Sequence, residues 1–222
     1  MPFTLGVTHQ LSDEGAKDRY RPIARLIQHT DARAIVGKFI RDGDADASWL
    51  CEEAERLRNR LADDDFERDL YGNNADYVSK FAEVCGDLNL PKAERLIPGP
   101  RKSIEFHGVR ITVDLSFRLR RRTRTNKLPQ GAATLRYAKG EKLAAEVGAW
   151  RSAFLFGFLG ETSADQEIEP ERQLSLTIDA HAGTYHPAPG NAVSRYHYIK
   201  AACASIAEQW PNIKEPPRAV LG

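Results

Sequence analysis

Residues 104–119 read Ile-Glu-Phe-His-Gly-Val-Arg-Ile-Thr-Val-Asp-Leu-Ser-Phe-Arg-Leu. Apolar side chains recur at every second position on both sides of His107-Gly108, the period of a half-buried strand. A turn at His107-Gly108 pairs Ile104 with Ile111 and Phe106 with Val109, which puts the apolar side chains on one face. Val113, Leu115, Phe117 and Leu119 continue the alternation, while Glu105, Arg110, Thr112, Asp114, Ser116 and Arg118 take the other face. The expectation is a hairpin whose second strand runs from Val109 to Leu119, with Asp114 mid-strand on its polar side.

Downstream, a polar connection containing Pro129-Gln130-Gly131 leads to a third expected strand at 132–137. A helix over 141–159 follows, burying Leu143, Val147, Trp150, Phe154 and Phe158, and then a fourth strand at 174–178. The segment 181–190, rich in Pro and Gly, reads as a loop. Val193, Tyr196, Cys203, Ala207 and Trp210 then mark a last helix that Pro211 stops.

Upstream the period is helical. Pro22 suits a first helical position, with Ile23, Leu26, Ile27, Ala34 and Ile35 following at helical spacing. Asp42-Gly43-Asp44 breaks the pattern before a second helix carrying Trp49, Leu50, Ala54, Leu57 and Leu61. A third helix, capped by Asn74, presents Tyr77, Val78, Phe81, Val84, Cys85 and Leu88 as one stripe. The expected architecture is α/β: a helical N-terminal region over 1–98, its last helix packing on an α/β core over 99–222. That core holds a mixed sheet of about four strands flanked by helices.

The order helix, strand, strand, strand, helix, strand from residue 74 to 179 resembles the restriction-endonuclease-like fold. Nucleases of that fold place an Asp in the second strand and (Asp/Glu)-x-Lys in the third, and the carboxylates hold magnesium. Asp114 matches the first element and is the catalytic and metal-ligating candidate that the resemblance implies. The third strand departs from the pattern, with Ala132 and Thr134 where the carboxylate and lysine belong. Arg136 and Lys139 are the nearby cations. The resemblance therefore implies a degenerate nuclease-like core. An active magnesium-dependent nuclease with a migrated site around Asp114, Arg136 and Lys139 is the alternative. A structural ion pair of Asp114 with Arg136 or Arg110 is the simpler role for that carboxylate.

Arg118, Arg120, Arg121, Arg122, Arg124 and Lys127 place six cations within ten residues, and Arg136 and Lys139 follow with no acidic residue between. The chain as a whole carries a net charge of only +1, so this is a local concentration of charge. Guanidinium forks suit phosphate oxygens, and the segment is expected to bind nucleic acid, DNA or RNA. Docking onto an acidic protein partner is the rival, and a homo-oligomer is also open. A second, weaker cluster is Asp179, His181 and His186 near the end of the fourth strand, residue types that suit a transition metal or acid–base work.

With 41% hydrophobic residues in 222, the chain can bury a real core. The dispersed Cys51, Cys85 and Cys203 form no CxxC pair, which argues against a zinc finger or ribbon and for reduced, buried thiols. Residues 1–12 show no basic region followed by an apolar run, and the most apolar stretch, 153–159, is too short to cross a bilayer. A cytoplasmic protein without a membrane partner is expected. Neither a Walker-type phosphate loop nor a GxSxG elbow occurs.

Overall fold

The computed structural model describes residues 29–43, 46–99, 101–124, 127–162 and 168–212. The helical signal of Pro22, Ile23, Leu26 and Ile27 lies outside them. Three helices come first: α1 (Thr30–Asp42), α2 (Ala47–Arg58) and α3 (Asp65–Val84). Gly43 closes α1 in the left-handed region at φ 71°, as the Asp-Gly-Asp break predicts. Asp64 caps α3, its side chain accepting the Glu67 N–H, so the helix begins nine residues or so before the expected cap. Asn74 lies inside α3, buried. Leu61 falls beyond the end of α2 and is 94% exposed.

The strands are β1 (Glu94–Leu96), β2 (Lys102–Phe106), β3 (Val109–Val113), β4 (Phe117–Arg120), β5 (Leu128–Arg136), β6 (Ile168–Pro170), β7 (Leu176–Asp179) and β8 (Thr184–Pro187). Helices α4 (Ala145–Thr162) and α5 (Ala192–Gln209) complete the described chain. The protein is α/β, with a mixed sheet flanked by helices and a helical region ahead of it. The sheet has six strands in the order β1-β4-β5-β7-β8, with β6 also pairing β5, and β2-β3 form a separate two-stranded sheet. β1, β4 and β5 run antiparallel in turn, whereas β5 and β7 are parallel and joined by a crossover that contains α4.

The β2-β3 hairpin has the register its sequence predicts, with Ile104 opposite Ile111 and Phe106 opposite Val109. His107 and Gly108 both have positive φ, as a tight two-residue turn requires. The alternation does not, however, continue as one strand to Leu119. The chain leaves the hairpin after Val113 and enters the main sheet at Phe117. Val109, Ile111 and Val113 pack with Phe154 and Phe158 of α4 and with Tyr196 and Cys203 of α5. Phe117 and Leu119 join the other core, with Val36, Leu50, Tyr77 and Phe81 of α1, α2 and α3. Two cores on different sides need the same sequence parity to face two ways, and the bend over 114–116 provides the reversal. Asp114 is consequently in a connection, not mid-strand.

Other boundaries move for similar reasons. β5 begins at Leu128, because Pro129 keeps a useful carbonyl, accepting the Arg121 N–H, and needs no N–H of its own there. α4 starts at Ala145, after a segment held by Asp179. Leu174 belongs to a 3₁₀ turn (Arg172–Leu174) before β7, and the expected loop over 181–190 contains β8. α4 is apolar on most of its faces because it is covered on two sides, by the hairpin with α5 and by the sheet. Its Ser152 hydroxyl satisfies the polar sheet face, donating to the His186 carbonyl at 2.7 Å and accepting from the Thr177 hydroxyl at 2.9 Å. Val193 is exposed on α5, and Trp210 lies in a final 3₁₀ turn (Trp210–Asn212). All three cysteines are free thiols, but only Cys203 is fully buried and Cys51 is exposed. No helix among the described residues is long and apolar enough to cross a membrane.

Candidate functional site

The basic segment forms a hairpin, β4 against β5, with its connection at 121–127. Six of the eight candidate cations have partners there. Arg120 donates through Nε and Nη2 to Glu94 of β1, directly across the strand pair. Arg121 pairs with Glu171, Lys127 with Glu169 of β6 at 2.7 Å, and Lys139 with Asp76 of α3 at 3.1 Å. Arg118 donates from Nε to the Pro98 carbonyl at 3.0 Å, and Arg136 lies 3.5 Å from Asp179. Arg122 and Arg124 differ: both are exposed, and neither has a hydrogen bond or ion pair among the described residues. Carboxylates from β1, β6 and α3 thus divide a run of charge into a neutralised stem and a free cationic tip.

Asp114 is 64% exposed and lies 3.9 Å from Arg33 of α1. Its ion pair is therefore with a helix residue, since Arg136 is engaged by Asp179. Among the described residues no group of three or more His, Cys, Asp or Glu side chains is placed to hold a metal ion. Glu83 turns to solvent and pairs with Lys80 at 2.7 Å.

Asp179, His181 and His186 do not converge as ligands. Asp179 is fully buried, and its oxygens accept the backbone N–H groups of Leu143 (2.6 Å), His181 (3.1 Å) and Ala182 (3.3 Å) as well as facing Arg136. It ties the start of the β5–α4 crossover to the β7–β8 turn, which is a structural task. His181 Nε2 accepts the Gly140 N–H at 3.1 Å on the same seam. His186 sits on β8 opposite Thr177, its ring against Gly148 of α4. Burial holds His186 below the usual histidine pKa; the charge of Asp179 pulls the other way, and Lys142, with a smaller effect, adds to the lowering.

One further cation lies on the crossover helix. Arg151, on α4, is half-buried and donates no hydrogen bond and forms no ion pair among the described residues. Burial pushes its pKa down, and the positive charges of Arg33 and Arg136 push the same way. Arg33 also lies near His29 and Tyr77: its charge lowers both pKa values, in His29 together with burial, in Tyr77 against a larger upward effect of burial. The Tyr77 hydroxyl and His29 Nδ1 are buried without a hydrogen-bond partner among the described residues. Tyr77 stacks on Tyr137 at 4.1 Å, and His29 packs against both rings. Beside this cluster a groove of about 330 Å³ opens between α1 and the β3–β4 connection, lined by Arg33, Lys38, Arg41, Asp114 and Ser116 among others. Sequence reasoning missed Arg33 and Arg151. The available signal for Arg151 is that it interrupts the apolar run 149–160, where a charge is costly unless used.

No family model matches this chain, and no curated protein matches it in sequence.

Proposed function

We propose that this protein binds nucleic acid through the phosphate backbone, on a degenerate nuclease-like core that does not cleave. The observation that carries the reading is the free cationic tip of the β4-β5 hairpin, Arg122 and Arg124, exposed beyond a neutralised stem. Exposed guanidiniums without carboxylate partners are available to phosphate oxygens, and the flanking pairs of Arg120, Arg121 and Lys127 can exchange carboxylate for phosphate at the rim. The nuclease-like part of the reading draws support from element order. Antiparallel β1, β4 and β5, then α4, then β7 parallel to β5, is the arrangement of the restriction-endonuclease-like core, with β2-β3 inserted after its first strand. Among the described residues Asp114 belongs to no group of three or more side chains placed to hold a metal ion, which favours binding over hydrolysis. Free thiols suit the reducing cytoplasm.

The test is a titration of labelled duplex and single strands at two salt concentrations. Binding at low salt that weakens steeply with added salt is expected. Absence of binding at low salt would overturn the reading and favour a hairpin that docks a protein partner.

A further inference from the structure

We infer that the groove between α1 and the β3–β4 connection binds a nucleotide, with Arg33, Lys38 and Arg41 holding its phosphate. One wall is a single stripe of α1. Thr30, Arg33, Ala34, Gly37, Lys38 and Arg41 recur along it at helical spacing, while Ala32, Val36 and Ile40 turn the other way into the core. The small residues in the middle of the stripe leave a floor, and the cations flank it. From Arg33 to Arg41 the helix rises about 12 Å, so the three charges spread along the groove. Asp114 is the acid among the lining residues and stands 3.9 Å from Arg33. Lys38 lies over the Trp49 ring at 5.4 Å and forms no ion pair among the described residues. Arg41 donates from Nε to Asp42 at 2.8 Å, which leaves its two terminal nitrogens for a ligand. A concave site with three cations and one acid favours an anion, and guanidinium forks match phosphate oxygens.

The other wall has what a nucleoside requires. Pro98, Leu115 and Leu135 offer apolar contact for a base or sugar face. Ser116 Oγ accepts the Leu135 N–H at 3.2 Å, and its own proton has no acceptor among the described residues. Ser116 can therefore donate and Asp114 accept, a pair that orients sugar hydroxyls or a base edge. Both walls are fixed to the sheet: Arg118 Nε donates to the Pro98 carbonyl at 3.0 Å, and Arg95 Nη1 donates to the Ile40 carbonyl at 2.6 Å. The volume of about 330 Å³ falls within the range of small-molecule sites. Gly37 keeps the floor open. A Cβ there would lie 3.6 Å from the Ser116 backbone oxygen and 4.0 Å from Leu135 Cδ1, so packing admits alanine, which the helix would prefer. The cations come from α1, outside residues 74–179 that carry the nuclease-like order, so the resemblance does not imply this site. The ligand can be a free nucleotide or one unit of a nucleic-acid strand, and only the second rests on the nucleic-acid reading above.

The experiment is calorimetric titration of the full chain with the adenosine, guanosine, cytidine and uridine monophosphates, at constant ionic strength. Inorganic phosphate and the four nucleosides are the controls. At least one nucleotide should bind wild type and Arg122→Ala/Arg124→Ala alike, and more tightly than phosphate or its own nucleoside. Arg33→Gln/Lys38→Gln should weaken that binding by about tenfold or more, the worth of a charge-assisted hydrogen bond. Both side chains are exposed, so this variant should melt close to wild type. Gly37→Ala should melt higher than wild type and bind the nucleotide more weakly. Failure of all four nucleotides to bind wild type overturns the proposal, as does phosphate that binds as tightly as every nucleotide. Unchanged affinity in Arg33→Gln/Lys38→Gln also overturns it, and if that variant does not fold, unchanged affinity in Gly37→Ala does so. A short single-stranded oligonucleotide that displaces the nucleotide, from wild type and from Arg122→Ala/Arg124→Ala, identifies a strand as the source. Nucleotide binding without that displacement identifies a free nucleotide.

Discussion

Asn74 Oδ1, in the middle of α3, accepts the backbone N–H of Ala32 in the first turn of α1 at 2.9 Å. His29, at the N-cap position of α1, makes no side-chain cap of its own. Asn74 supplies the missing acceptor from another helix, and its Nδ2 donates to the Leu70 carbonyl. Asn74→Ala should therefore destabilise the protein by about 2 kcal/mol, since it strands a buried helix-terminal N–H. The check is urea unfolding, with a lower midpoint and an unchanged slope expected. Asn73→Ala, whose amide reaches only the Asp69 carbonyl in its own helix, should cost about 0.5 kcal/mol or less.

Gly131 sits in β5 where a Cβ would lie 1.9 Å from the backbone oxygen of Leu174. Gly131 is held by its pairing with β4 and Leu174 by the 3₁₀ turn that leads into β7, so Gly131→Ala should cost roughly 4 kcal/mol or more and leave little soluble, cooperatively folded protein. Gly72, inside α3, meets nothing within 4 Å. Gly72→Ala should raise stability by about 0.5–1 kcal/mol through the helix preference of alanine. Thermal melts of the two variants side by side test the contrast.

Burial, aided by Arg33, lowers the His29 pKa, and burial lowers that of His186. Both histidines ordinarily titrate near 6.5, so below that pH the unfolded chain takes up protons that the folded chain resists. Their contribution to stability is complete above pH 6.5 and is lost as pH falls from there through the depressed folded values. Urea midpoints measured from pH 7.5 to 5 should decline in that window. The His29→Gln/His186→Gln pair should flatten the decline; an equally steep fall would assign the acid sensitivity to other groups.

For nucleic acid, the hairpin arginines should separate into two classes. Each phosphate contact on duplex DNA contributes about −0.9 to the slope of log K against log salt, so Arg122→Ala/Arg124→Ala should flatten it by about 1.8. Arg120→Ala/Arg121→Ala should change it less, because Glu94 and Glu171 already neutralise those side chains. Sequence preference should hardly move in either variant. An equal effect of the two pairs would mean that the carboxylates release the stem arginines on binding.

Cleavage of plasmid, single-stranded DNA or RNA with magnesium or manganese should not rise above background. The reason is local: Asp114 faces Arg33, and among the described residues it belongs to no group of three or more side chains placed to hold a metal ion. Asp114→Ala should behave like wild type. Robust cleavage that Asp114→Ala abolishes would put a metal on this residue.

Much of the fold is legible in the sequence where the controlling interaction is local. The turn at His107-Gly108 and the side-chain parity around it specify the β2-β3 register, because a slip by one residue would turn every apolar side chain outward. The break after Gly43 and the apolar runs of α2, α4 and α5 are equally readable, since helical period and left-handed glycine act over a few residues. The charged run from Arg118 to Lys127 is legible as a hairpin with basic side chains.

Only the tertiary structure decides where the alternation from Val109 to Leu119 breaks, because both halves keep one parity and differ only in which core each meets. The same holds for charge. Nothing near Arg120, Arg121 or Lys127 in sequence announces Glu94, Glu171 or Glu169, yet those carboxylates determine which cations stay free. Likewise Asn74 reaches across from α3 to cap α1. Such pairings depend on how helices and strands stack, a long-range property that side-chain periodicity along the chain does not encode.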